Sequence, residues 1–352
     1  EEIDRLKRKY GSTEADILRF KEEADETLKS FTSDEERLSQ LEREIGPLRE
    51  DMTQRAQKLS RERKRVASEL KKSVDRMTAL VLAGGMENMT QAPHVVRGAR
   101  TGFKLGEGAL EDSLMSALLD TYCGFTMAGT AENVAVEYGI TRRECDEYAL
   151  RSQQAADAAF KACYLKEEIV PVEVKQGRKS VMATEDDHRR PETTMETLEK
   201  LPPAFKKDGL VTAGNASGIV DGGAAVVVAH EKYAKDKGWK PLGRIVSWAV
   251  AGVEPKLMGL GPIPASEKAL AKAGLKLEQM DRIEVNEAFA AQSLAVGIKM
   301  TQDGHGWDWE KTNVNGGAIA LGHPVGQSGA RIVVTLLHEM KRRGSRYGAA
   351  TL

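Results

Sequence analysis

In the first part of the chain, apolar residues fall at Leu38, Leu41, Ile45, Leu48, Met52, Ala56, Leu59, Val66, Leu70, Val74 and Met77. The steps are mostly three and four, with one longer step across Arg63. That near-heptad stripe predicts an amphipathic, coiled-coil arm. Pro47, after Gly46, should kink or interrupt it. Ile3 to Phe31 carry a weaker helical pattern, and Thr32-Ser33-Asp34 before Glu35-Glu36 reads as a break and N-cap. Two helices folded back on each other fit this pattern, as a solvated hairpin with no catalytic role.

After Met77 the texture changes. Thr78 to Ala83 is a short apolar run ended by Gly84-Gly85, the signature of a buried strand. Further strands are predicted at Ala224–His230, Gly243–Val253, Arg282–Val285 and Tyr347–Leu352. Helices are predicted at Arg142–Phe160, Pro264–Ala273, Glu287–Met300 and Ser328–Arg343. Strands alternating with helices argue for an α/β fold with a mixed or parallel sheet.

Charge sharpens the division. Asp, Glu, Lys and Arg make up 38 of the first 76 residues but only 67 of the remaining 276. Half against a quarter marks two kinds of polymer, since globular domains run near a quarter. The whole chain is nearly neutral at −1, which gives no electrostatic case for nucleic-acid or membrane binding. No apolar stretch approaches the roughly 20 residues of a membrane helix. The three cysteines, Cys123, Cys145 and Cys163, fit neither a zinc site nor a disulfide framework, and a reducing cytoplasm is the natural reading.

A series of strings then carries a resemblance, all in one order. They are LAGGMENMTQAPH (Leu82–His94), TAENVA (Thr130–Ala135), PPAFKKDG with VTAGNASG (Pro202–Gly218), and GPIPA (Gly261–Ala265). VNEAFAAQ (Val285–Gln292) and NVNGGAIALGHPVGQSGARI (Asn313–Ile332) follow. Over roughly 270 residues the chain resembles the thiolase family, most closely 3-ketoacyl-CoA thiolases and acetyl-CoA acetyltransferases. The resemblance implies an α/β fold of thiolase-like αβα layers. The first half would be incomplete, and the second would lack its last strands. The domains would be a helical arm at 1–77, the remainder of a thiolase N-terminal domain at 78–240 with an inserted CoA-binding loop region at about 89–219, and a truncated C-terminal domain at 241–352. It also implies acyl transfer on 3-ketoacyl-CoA or acetyl-CoA, as in fatty acid beta-oxidation. Coenzyme A would be a substrate, with no permanent cofactor and no metal, and the protein would be a homo-oligomer.

His323 sits in a glycine-rich stretch where backbone can approach a ligand, and an imidazole there can act as a base. By family match it activates the nucleophilic cysteine and lines an oxyanion hole. Asn286 would hold the water that, with His323, binds the thioester oxygen. Family matching points to Arg190 and Thr197 near the nucleotide end of coenzyme A, and to Ser217 along the pantetheine arm. Met127, Phe205, Ala288 and Phe289 would form apolar walls. On residues alone, blander readings stay open: His323 as a structural histidine beside proline, Asn286 as a helix N-cap, Arg190 as a surface charge, Met127 as core. Acetoacetyl-specialised members place His before the methionine matched by Met127; Thr126 here leans towards a broader 3-ketoacyl-CoA enzyme.

Two family cysteines have no counterpart. The nucleophile belongs upstream of Leu82, where the charged arm stands, and the acid/base cysteine belongs beyond the string that ends at Leu352. Covalent catalysis without an acyl acceptor has no first step, so the chain as given is expected not to turn over acyl-CoA. Poor cooperativity or aggregation is also expected, because sheets without partners leave edges unpaired. The arm resembles the coiled-coil part of the DNA-repair protein RecN, through LKRKYGSTEADIL (Leu6–Leu18), RLSQLEREI (Arg37–Ile45) and LSRERKRVASELKKSV (Leu59–Val74). No phosphate-binding P-loop occurs in the chain. The meeting of two unrelated resemblances near Met77–Val81 suggests a fusion, with a non-catalytic interaction chimera as the alternative to an enzyme.

Overall fold

The computed structural model describes residues 9–11, 13–16, 18–23, 25, 47, 50–66, 68–69, 79–103, 105–106, 108–177 and 179–352. The chain divides into two compact units, Glu1–Ala79 and Leu80–Leu352. In the first, residues 50–66 are helical and exposed throughout. Ion pairs at helical spacing run along that segment, Arg55 to Asp51 at 2.6 Å and Arg65 to Glu69 at 2.7 Å. Exposed i,i+4 pairs support a helix by only a few tenths of a kcal/mol each. The predicted stripe residues Met52, Leu59 and Val66 are all about half exposed. The expected break at Thr32–Asp34 lies outside the described residues.

In the second unit the strands are β1 (Leu80–Asn88), β2 (His94–Val96), β3 (Leu110–Asp112), β4 (Val172–Gln176), β5 (Lys179–Ala183), β6 (Asp221–Ala229), β7 (Arg282–Val285) and β8 (Gly348–Thr351). Its five long helices are α1 (Met127–Tyr138), α2 (Arg142–Lys161), α3 (Pro262–Ala273), α4 (Ala290–Gln302) and α5 (Val325–Arg343). Among the described residues the strands form four pairs in place of one broad sheet. Three are antiparallel, β1–β6, β2–β3 and β4–β5, and β7–β8 is parallel.

Two predicted strands differ from what is observed. β1 does not stop at Gly84-Gly85 but runs through both to Asn88. The glycines are needed for close approach: a Cβ on Gly85 would lie 1.8 Å from the Gly326 carbonyl oxygen of α5. Gly243–Val253 forms no strand. Its apolar residues Ile245, Val246, Trp248 and Val250 are exposed, and only side-chain bonds tether it, such as Ser247 Oγ to the Ala269 carbonyl at 2.7 Å. A β-rich composition makes a strand only where a partner supplies the ladder.

The helices build the core. α2 starts at a capping box, in which Thr141 and Glu144 each bond the other's backbone N–H. Its inner face, with Cys145, Tyr148 and Ala149, packs on Val134 and Ala135 of α1, Ala290, Ala291 and Ala295 of α4, and Ile319. Small residues let these helices approach closely. β7 joins a second cluster with Ile263, Leu277, Met280, Val296 and Met300. No helix among the described residues is long and apolar enough to cross a membrane.

Candidate active site

Asn286 is the first residue after β7, and its N–H bonds the Thr351 carbonyl of β8 at 3.0 Å. It caps no helix: α4 starts only at Ala290, behind Phe289. Beside it runs the glycine loop of residues 313–323. Asn313 pins the two segments together, accepting from the Val285 N–H and donating to the Val285 carbonyl, both at 2.8 Å. It thereby completes the end of β7 with a side chain.

The loop then turns where only glycine fits. Gly316 has φ +77°, and a Cβ there would lie 2.7 Å from both Ser152 O and the Ala156 Cβ of α2. Gly322 has φ +91°, with Val220 filling the space a side chain would need. A left-handed backbone is accessible to glycine at no steric cost. The loop ends at His323, whose Nε2 lies 3.2 Å from Nδ2 of Asn286.

Ser328, on the first turn of α5, orients the imidazole. Its Oγ lies 2.5 Å from Nδ1 of His323 and donates its own proton to the Pro324 carbonyl at 3.0 Å. Nδ1 therefore carries the ring hydrogen, and Nε2 presents its lone pair to the amide. Burial pushes the imidazole down to about 4, with the Arg331 guanidinium adding to the shift. At neutral pH it is an uncharged base. The Asn286 Oδ1 is buried and without a partner among the described residues. The pair thus offers an amide donor, an open amide acceptor and a basic nitrogen within one small volume.

Several other predicted positions lie on the segment that follows Asn286 and on the chain that bonds to it. Ala216 pairs with Phe289 as an isolated bridge, and Ser217 donates both its N–H and Oγ to the Ala288 carbonyl at 3.0 Å. Ala216 also packs with Ala128, Ala131 and Val211, against which Phe289 lies, and Met127 begins the same helix. Arg190 is exposed, and its backbone N–H bonds Gln153 of α2, which in turn bonds the Ile319 carbonyl. Thr197 is exposed in a capping box with Thr194. Phe205 is exposed on the turn between Pro203 and Thr212, and no contact brings it to the pair.

Ser328 and the buried carboxylate of Glu287 were missed in the sequence. Glu287 follows Asn286, but nothing in a short apolar context marks which of two adjacent polar residues points inward. The cysteines lie apart from the pair. Cys145 sits in the core, its thiol pushed up to about 12 by burial, and Cys163 is exposed. A cavity of about 310 Å³, lined by Cys163, Tyr164, Glu167, His338, Lys341 and Arg342 among others, shares no residue with the pair. Its cations are already engaged, Lys341 by Glu167 at 2.9 Å and Arg342 by Tyr164 and Glu339.

Residues 70–232 match the family described as thiolase, N-terminal domain, and residues 239–352 match thiolase, C-terminal domain. The human mitochondrial 3-ketoacyl-CoA thiolase is 53% identical over 273 residues, covering 77% of this chain and 68% of that protein. The acetyl-CoA acetyltransferase of Cupriavidus necator is 52% identical over 275 residues, covering 78% and 69%. In structure, the human mitochondrial 3-ketoacyl-CoA thiolase in complex with CoA superposes with a TM-score of 0.75 at 50% identity, covering 82% of this chain and 71% of that one. The acetyl-CoA acetyltransferase from Syntrophomonas wolfei superposes with a TM-score of 0.77 at 41% identity, covering 82% and 74%. With the same segments in the same order along both domains, the chain belongs to the thiolase family of acyltransferases.

Proposed function

We propose that this chain binds a CoA thioester with the acyl carbonyl against Asn286 and His323, the site at which its relatives' acyl transfer would take place. The observation that carries the reading is the 3.2 Å contact between an amide donor and a partly buried, uncharged imidazole. A fixed amide donor stabilises negative charge developing on the carbonyl oxygen, and such donors are worth about 3 kcal/mol of barrier each. The imidazole Nε2 takes the proton of an incoming thiol as its sulfur attacks the carbonyl carbon; the bond to the original thioester sulfur then breaks, and the imidazolium returns the proton to the departing thiolate. Coenzyme A is substrate in this scheme, and no permanent cofactor takes part. Ser217, Ala288 and Phe289 would border the pantetheine arm, with Arg190 and Thr197 towards the phosphates and Met127 and Phe205 on the apolar sides. The protein would act as a homo-oligomer, and its free thiols suit a reducing compartment such as the cytoplasm.

Polarisation of the thioester by this pair can be read directly. Isotope-edited infrared spectra of bound [1-13C]acetyl-CoA test this. The thioester carbonyl stretch is expected to move to lower frequency on binding, and Asn286→Ala is expected to abolish most of that movement. An unshifted carbonyl in a saturated complex would refute the site.

One observation favours a separate role for the arm. Met52, Leu59 and Val66 form a heptad-spaced, half-exposed stripe on a helix, which suits pairing with a second helix as in RecN-type coiled coils. Leu59→Lys with Val66→Lys is then expected to lower the oligomeric state in sedimentation, and an unchanged state would exclude the pairing.

A further inference from the structure

Glu287 has no exposed surface, yet no cation pairs with it among the described residues. Four donors surround it. Tyr148 Oη donates to Oε1 at 3.1 Å and Asn313 Nδ2 to the same oxygen at 2.8 Å. Ser152 Oγ donates to Oε2 at 2.6 Å and the Ile319 N–H to the same oxygen at 3.3 Å. Two donors on each oxygen fill the acceptor sites of a carboxylate. A buried carboxylate neutralised only by dipoles is costly, and one missing donor exposes the remainder of that cost.

The donors come from two segments, α2 and the glycine loop. Tyr148 and Ser152 lie on α2, Asn313 opens the glycine loop, and Ile319 stands four residues before His323. Ser152 Oγ also accepts from the Gly317 N–H at 3.1 Å, adding a second bond to the loop. Gly317 lacks the side chain that would collide with this carboxyl group, since a Cβ there would lie 2.4 Å from its carbon. The acid is thus built into the one point where α2, the Asn286 segment and the His323 segment meet.

We propose that Glu287 is a positioning residue, which holds the Asn286 amide and the His323 imidazole at bonding distance by anchoring both of their segments to α2. It touches neither ring nor amide. The proposal rests on the functional reading above for its consequence in catalysis, but its geometry can be tested without coenzyme A.

Glu287→Gln keeps the volume and turns one acceptor into a donor. The Ile319 N–H is fixed and Asn313 Nδ2 is already committed to Val285, so at least one bond to the loop is lost. In the free protein, the His323 titration followed by 15N NMR is expected to rise by about one unit as the loosened loop admits water. With [1-13C]acetyl-CoA bound, the carbonyl shift should fall to less than about half its parental value, while CoA affinity changes by less than about threefold. Ser152→Ala and Tyr148→Phe each remove one donor to the same carboxylate without touching the pair. They give the same directions with smaller size, and they carry the test if Glu287→Gln does not fold. A folded Glu287→Gln, or both milder variants, with an unmoved His323 titration overturns the proposal. An altered titration in a protein that does not bind coenzyme A supports the positioning role while refuting the proposed function.

Discussion

Gly316→Ala is expected to lower the stability of the second unit by about 2–5 kcal/mol, combining left-handed strain of roughly 1–2 kcal/mol with overpacking of roughly 1–3 kcal/mol. The added methyl would meet Ser152 O at 2.7 Å and the Ala156 N–H group's nitrogen at 2.9 Å, both backbone atoms of α2. A flexible side chain could swing aside; a helix backbone held by its own ladder cannot. The loop must lift, and with it go the Gly317 bond to Ser152 and the Ile319 bond to Glu287. A loss of this size is a large share of the roughly 5–15 kcal/mol of a typical domain. Thermal melts by circular dichroism should drop by on the order of 10 °C. A variant melting with the parent would show that the loop is not held against α2 as described.

How far the sequence foretold this arrangement differs by element. The helices Arg142–Lys161 and Val325–Arg343 and the strands Arg282–Val285 and Asp221–Ala229 were legible to within a few residues. Their periodicity is local, and caps such as Thr141 and glycines such as Gly344 mark the ends. Gly243–Val253 was not legible, because its apolar residues suit a strand but nothing local says whether a neighbour will pair with it. The continuation of β1 through Gly84-Gly85 failed for a related reason. Two glycines read as a turn until the helix that presses on them is known.

The candidate site divides in the same way. His323 and Asn286 stood out through their strings, which residue chemistry alone left open. Their hydrogen bond is a tertiary fact, made by Asn313 closing β7 and by the left-handed turns at Gly316 and Gly322. Ser328 and Glu287 act through geometry that spans distant segments, so no spacing rule exposes them. Arg190, Thr197 and Phe205 occupy exposed positions where family correspondence, and not packing, supports their proposed roles.

Glu284→Gln is expected to change how stability depends on pH, and to raise stability by up to about 4 kcal/mol at pH 8 relative to pH 5. Glu284 is buried on β7, with Oε2 unbonded and Arg331 Nη1 3.7 Å away. Burial pushes its carboxyl up to about 8; Arg331 opposes the shift, while Glu287, Glu168 and Glu339 reinforce it. In the fold the group stays protonated to about pH 8, whereas unfolded it ionises near 4.5. The native state therefore binds the extra proton across that window, and stability falls as pH rises through it. His323 works the other way: native near 4 against 6.5 unfolded, it makes stability rise with pH between those values. The two slopes oppose each other from about 4.5 to 6.5, and the Glu284 slope runs on unopposed by His323 from there to 8. Glu168, pushed up to about 7 by burial but partly exposed, adds a smaller contribution of the same sign as Glu284. The parent should thus be flat or gently declining in mild acid and clearly less stable towards pH 8. Glu284→Gln should instead lose the decline that the parent shows from about pH 7 to 8. Urea midpoints measured from pH 4 to 8.5 decide the matter: parallel profiles for parent and variant would mean that the Glu284 carboxyl is ionised in the fold, and that Arg331 outweighs burial.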